Sequence, residues 1–314
     1  VYAALESVRA MQDAEIEPGR PVGVVSFTEE EGTRFSSGLL GSSVAAGEWS
    51  PEDALAMADE EGTTLGAALE AIGFHGEGRL DASEWDAWLE LHVEQHTELE
   101  SRGVPAGVVT AVTGITHCSV AVEGEANHAG STPMGDRHDA LCAAAEFVTD
   151  LERAANERTE VDPAAVGTVG ELSVSPGARN VVPGNVRTSV DIRSIERESM
   201  EYLVDAARES LDRIAADRGV ETDIEREFDV DPTPMASRCR TALREGAEAA
   251  GLETIELHSG AGHDSMTVAA VTDAGMLFAP SRDGVSHSPR EWTDWADCAA
   301  ATRVLAAGLT RLAG

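Results

Sequence analysis

Val24-Val25-Ser26-Phe27-Thr28-Glu29-Glu30-Glu31-Gly32-Thr33-Arg34-Phe35 is a β-branched run that ends in three consecutive carboxylates and a glycine turn. Val22, Val24 and Val25 suit a strand buried on both faces, as in a parallel sheet, and such sheets place their chemistry just beyond a strand's carboxyl end. Three adjacent like charges raise one another's pKa unless cations sit among them, and a bound divalent metal is the natural cation. The plainer alternative is a solvated acidic turn.

Outward from this stretch, the first 110 residues alternate helix-like and strand-like segments, the texture of an α/β protein. Residues 3–14, 36–46 and 64–72 read as helices and 20–28 as a strand. Segment 87–95 alternates with period two, Ala87, Leu89, Leu91 and Val93 on one face and Trp88, Glu90, His92 and Glu94 on the other, which predicts a strand. From 113 to 229 the pattern becomes strand 115–126, helix 137–157, strands near 165–174 and 184–194, helix 198–217 and strand 221–228. This β-α-β-β-α-β order is the ferredoxin-like arrangement. Asp231-Pro232-Thr233-Pro234 then punctuates a return to α/β texture, which ends in a helix over 294–312. The expected organisation is a discontinuous α/β domain, 1–112 and 230–314, carrying an inserted unit at 113–229.

The chain has 57 acidic and 23 basic residues, a net charge of −34, and every basic residue is arginine. Such a surface lacks the cationic footprint that nucleic acid requires, and an anionic membrane repels it. No apolar run reaches the length of a membrane span. Self-repulsion on this scale is tolerable where salt screens it, so a high-salt cytoplasm is the expected setting. Cys118, Cys142, Cys239 and Cys298 lack CxxC spacing and read as reduced thiols.

Gly284-Val285-Ser286-His287-Ser288-Pro289 sets a histidine in a loop bounded by glycine and proline. Seen singly it reads as a solvent-exposed imidazole. Together with Glu31 and His92, it makes the mixed His and carboxylate set of a Zn²⁺ or Mn²⁺ hydrolase. His92 and His96, four apart, would share one face of a helix as in a zincin, but Val93 stands where that motif needs Glu. His128 lies in Gly124-Glu125-Ala126-Asn127-His128-Ala129-Gly130-Ser131-Thr132-Pro133, flanked by small residues that let a ligand approach. Arginine can hold a carboxylate by a bidentate fork and asparagine can donate to an oxyanion, which singles out Asn180 and Arg193. A structural hydrogen bond or surface ion pair serves equally well for either.

Six segments, 27–35, 89–95, 127–134, 178–184, 259–266 and 284–289, resemble in order the M20-type metal-dependent amidohydrolases of the hydantoinase/carbamoylase subfamily. That subfamily includes N-carbamoyl-L-amino-acid hydrolases and allantoate amidohydrolases. The resemblance implies a metallopeptidase-like α/β catalytic domain with an inserted dimerisation domain, and a homodimer holding two divalent ions, Zn or Mn, per subunit. It implies hydrolysis of a carbamoyl or ureido C–N bond, with Glu30 as general base. Glu31 and His287 resemble the ligands of one metal and His92 a ligand of the other. His128 resembles a histidine that crosses to the partner's site to stabilise an oxyanion. Gln95, Asn180, Arg193 and Gly262 resemble substrate contacts, Arg193 holding the carboxylate, and Asp264 and Glu291 are candidates for orienting the ligand imidazoles. Family members carry, ahead of the helix matching residues 1–6, a His-x-Asp motif and a Gly-Gly-x-x-Asp-Gly motif that supply a histidine ligand and a bridging aspartate; neither occurs in this sequence. The resemblance thus implies a chain lacking an N-terminal part, with weak metal binding and little turnover. Its alternatives are an M20 aminopeptidase or aminoacylase, and a catalytically dead dimerising fragment. His96-Thr97 stands where the family has Gly-Pro.

Overall fold

The computed structural model describes residues 1–36, 38–76 and 78–314. The chain divides into two compact units, residues 1–112 with 234–314, and residues 113–233.

In the first unit, strand Ala87–Val93 runs parallel to Asp273–Ala279, which runs antiparallel to Gly107–Val112, which in turn is parallel to Ile255–Ser259. The sheet is therefore mixed, not purely parallel as the opening stretch suggested. Its strands are covered on both faces, which is why Asp273–Ala279 reads as an almost unbroken apolar run. Val108 and Leu277 pack with Leu243, Val304 and Leu305 of the helices Ser237–Ala250 and Trp295–Ala313. On the other side Val109, Val112, Met276 and Phe278 pack with Leu99, Val104 and Met235. The two helices meet at Gly246 and Gly308, where an added Cβ on Gly246 would lie 2.7 Å from the Gly308 nitrogen.

Residues 20–28 form no strand. Their valines are half-buried as the sequence implies, but burial alone does not make a strand, and among the described residues no backbone ladder partner is in place. The helix expected at 36–46 begins only at Leu40, because Leu39 adopts a left-handed conformation and its amide donates to the Glu30 carbonyl at 2.9 Å. Ser37, within that expected helix, lies outside the described residues.

The second unit has the expected β-α-β-β-α-β order. Four antiparallel strands are arranged Val166–Ser175, Asn185–Ser194, Gly114–Glu123, Glu221–Val230. The first of these in sequence ends at Glu123, short of 126, and the unit closes at Thr233, past 229. Along Gly114–Glu123 every second residue is buried, the period that turns one face toward the helices Ala140–Arg158 and Arg197–Arg218. Phe147, Leu203, Leu211 and Ile214 fill that core with Val120, Val186 and Ile192. Asp139 starts the first helix by accepting from the Leu141 and Cys142 amides, and Gly219 ends the second in a left-handed conformation. Arg197 and Arg226 then tie Glu201 and Asp229 into one ion network across helix and sheet.

Candidate active site

The three carboxylates that open the site point to different partners. Glu29, with φ 55°, turns inward so that its Oε2 accepts from the Arg34 and Phe35 amides at 3.1 and 2.8 Å, stapling the loop. Glu31 is exposed, and its Oε2 lies 3.5 Å from Nε2 of His287, which is itself in a left-handed conformation at φ 51°. Glu30 is half-buried between them. Burial, followed by the charge of Glu31, pushes its carboxyl above the ordinary value, against the pull of His92 and His287 and with a further push from Glu90. The structure thus brings Glu30, Glu31, His92 and His287 into one neighbourhood.

His92 sits on Ala87–Val93 with Nδ1 2.9 Å from the Val93 carbonyl, a contact that fixes the proton on Nδ1 and leaves Nε2 as a lone-pair donor. Its ring packs 4.5 Å from that of His263. His263 is 1% exposed; Ser259 Oγ is 2.8 Å from its Nε2, and its Nδ1 has no partner. Burial, and then the His92 charge, lowers its pKa to about 3, so it stays neutral. Beside it Asp264 is buried, with Oδ1 unpaired; burial first, then Glu90 and Glu30, push its pKa up to about 7 against a Ser42 hydrogen bond. Glu90 accepts from the Ser265 amide and hydroxyl at 3.0 and 2.7 Å, and Trp88 Nε1 donates to the same hydroxyl.

Gln95, with φ 59°, links the two halves of this neighbourhood. Its amide donates to Ser281 Oγ and its side-chain Nε2 to Ser286 Oγ at 2.7 Å, and Ser286 in turn donates to Glu291 at 3.3 Å. Neither Asp264 nor Glu291 hydrogen-bonds the imidazole of His92 or His287; the Val93 carbonyl takes that role for His92. A Cβ on Gly262 would meet only Met266 Sδ, at 3.8 Å, so packing does not demand glycine there. His96 is exposed, 3.9 Å from the buried Glu94 that caps the helix Glu98–Arg102, and a strand followed by a loop gives His92 and His96 no common helical face.

In the second unit His128 and Asn180 are neighbours, since the Ala129 amide donates to the Asn180 carbonyl and His128 pairs with Val181. The Gly130 and Ser131 amides both donate to His128 Nδ1 at 3.1 Å, which places the proton on Nε2 and makes that atom a hydrogen-bond donor facing solvent. A Cβ at Gly130 would come within 3.1 Å of the imidazole. Arg137 clamps this loop through the Ala129 and Thr132 carbonyls. Arg193 is bound to Asp191, its Nε 3.0 Å from Oδ1, and Asp191 also meets His117.

Sequence reasoning overlooked Arg137, His263 and Glu90. The signal for His263 was its position between Gly262 and Asp264; nothing in the spacing marked Arg137. As for metal, Glu31, His287 and His92 are donors of the right chemistry with free lone pairs, but among the described residues no three His, Cys, Asp or Glu side chains converge on one point.

Comparison with known proteins gives this neighbourhood its context. The family model described as Peptidase family M20/M25/M40 matches residues 1–311. An N-carbamoyl-L-amino-acid amidohydrolase of Paenarthrobacter aurescens is 40% identical over 309 residues, covering 97% of this chain and 74% of that protein. The allantoate amidohydrolase of Bacillus subtilis is 34% identical over 316 residues, covering 100% of this chain and 76% of the relative. A crystal structure of a putative amidohydrolase/peptidase from Burkholderia cenocepacia superposes with a TM-score of 0.94 at 38% identity, over 99% of this chain and 75% of that one. The chain belongs to peptidase family M20/M25/M40, as an amidohydrolase that breaks C–N bonds.

Proposed function

We propose that this chain hydrolyses the C–N bond of N-carbamoyl amino acids or related ureido compounds, with Glu30 moving the proton. The observation that carries the reading is the half-buried Glu30 carboxylate, held between the Glu31–His287 pair and His92 with its pKa raised. A base for this reaction must accept a proton from water and surrender it to the departing nitrogen, and a carboxyl pushed toward neutrality does both more readily. Water oxygen adds to the carbonyl carbon, Glu30 takes its proton, the C–N bond breaks, and the proton leaves on nitrogen.

Enzymes of this family typically depend on divalent metals. Bound by Glu31 and His287 on one side and His92 on the other, such ions would polarise the carbonyl and acidify water. The remaining roles belong to the chain. His128 Nε2–H, supplied across a homodimer, stabilises the oxyanion; Asn180, Gln95 and the backbone at Gly262 position the ureido group; and Arg193 takes the substrate carboxylate in exchange for Asp191.

A substrate panel with ammonia detection, run with Zn²⁺ or Mn²⁺ in excess to offset the short donor set, tests this. Ammonia release from carbamoyl or ureido compounds that depends on added metal is the expected outcome. Cleavage of peptides or acyl amides without ammonia would replace the reading with an aminopeptidase or aminoacylase.

A further inference from the structure

Along Gly114–Glu123 the even-numbered side chains pack toward the two helices, which sets Ile115 and His117 on the opposite face of the sheet. In the ladder with Asn185–Ser194, His117 lies across from Asp191 and Ile115 across from Arg193. The outer strands continue both rows on the same face, Phe228 beside His117 and Val166 beside Arg193. One end of this face therefore carries a carboxylate, a guanidinium and an imidazole set among apolar neighbours.

Asp191 is held from two sides by donors of different kinds. Arg193, two residues along its own strand, places Nε 3.0 Å from Oδ1 and Nη2 3.1 Å from Oδ2. His117, on the neighbouring strand, puts Nε2 3.0 Å from Oδ2, and because a carboxylate only accepts, that nitrogen carries the hydrogen. The imidazole plane is fixed by Phe228, stacked at 5.3 Å between ring centroids and 30° between planes. One donor belongs to a side chain that the proposed reaction asks to move; the other is packed in place.

A substrate carboxylate that takes the Arg193 guanidinium strips Asp191 of its ion pair and sets a second negative charge beside it. The cost of that exchange depends on what Asp191 keeps. With His117 present it keeps a charge-assisted hydrogen bond. Without it the Asp191 carboxylate, 31% exposed, would be left with no side-chain donor among the described residues, and leaving an ion unpaired costs more than weakening a shared one. We propose, building on the role given to Arg193 above, that His117 is a positioning residue for the substrate carboxylate: it retains Asp191 so that Arg193 can change partners, and thereby selects substrates bearing a free carboxylate.

The test compares N-carbamoyl-valine with isobutylurea, the same ureido compound without its carboxylate, using the whole chain with Zn²⁺ or Mn²⁺ in excess and ammonia as the readout. His117→Phe keeps the stack on Phe228 and removes the donor. It is expected to raise KM for the acid about tenfold or more, with kcat unchanged and with the affinity for isobutylurea, as substrate or competing inhibitor, unchanged. His117→Gln restores an N–H donor and is expected to bring the acid KM back to within about twofold of the original. In an Asp191→Asn background no carboxylate competes for Arg193, so His117→Phe is expected to lose its effect. A KM for the acid that is indifferent to residue 117, or that shifts equally for both compounds, overturns the proposal while ammonia release upholds the function above. No ammonia from either compound in the unaltered chain overturns that function and the proposal with it.

Discussion

Glu29, Glu30 and Glu31 carry identical side chains, and their surroundings give them three different jobs. Glu29 is consumed by two backbone amides, Glu31 faces an imidazole, and Glu30 is left half-buried with its proton affinity raised. Replacing Glu30 by Gln keeps the shape and removes the proposed base, so kcat is expected to fall by about 10²- to 10⁴-fold with KM and bound metal little changed; steady-state kinetics with ammonia detection measure it, and an undiminished kcat refutes the assignment. The sequence singled out Glu30, Glu31 and His287 as candidates, through an acidic run at a glycine turn and a histidine in a loop, and the structure brings them into one neighbourhood with His92. His263 was marked only by its place between Gly262 and Asp264, since the burial that keeps its imidazole neutral comes from packing no local pattern records. Arg137 was equally hidden: its partners are backbone carbonyls several residues away, and any arginine can make such bonds.

At the scale of elements, periodicity proved a good guide wherever a segment's own pattern decides its structure. The 3.6-residue spacing of Leu203, Ala207, Leu211 and Ile214 and the alternation along Gly114–Glu123 both read directly into the second unit. Residues 20–28 are the instructive failure, because hydrophobic pattern reports burial while strand formation also needs a neighbour to pair with. The core of the second unit gives a direct test. Phe147 is wholly buried, and Phe147→Ala is expected to cost about 3–5 kcal/mol in urea unfolding, the sum of lost transfer energy and a residual cavity. The ion network over the same sheet gives another. The hydrogen bond from Arg197 holds Asp229 at about 2, below its ordinary 3.8, so the folded state binds that proton less readily than the unfolded one. Its stabilisation is present above pH 4 or so and fades as pH falls toward 2. The urea midpoint should drop across that interval, and drop less for Asp229→Asn.

At the scale of the whole molecule, charge dominates. A net charge of −34 without one lysine repels itself, and about 1 M salt shortens the screening length to roughly 3 Å. We therefore expect the thermal midpoint to rise from low-salt buffer to molar KCl; equal midpoints would show that self-repulsion does not limit the stability of the fold. The donor count makes a second molecular prediction: elemental analysis after gel filtration is expected to find fewer than two tightly held divalent ions per chain, because Glu31, His287 and His92 alone do not close two coordination shells.

The route of the backbone through the first unit has a practical corollary. The chain leaves that unit after Val112 and re-enters at Pro234, and the Met235 amide donates to the Thr110 carbonyl at 2.9 Å, so the exit and the return lie side by side. A short glycine-serine bridge from Val112 to Pro234 could replace the whole intervening unit, and the same junction could host a foreign module. It is a ready-made splice point for producing the first unit without the second.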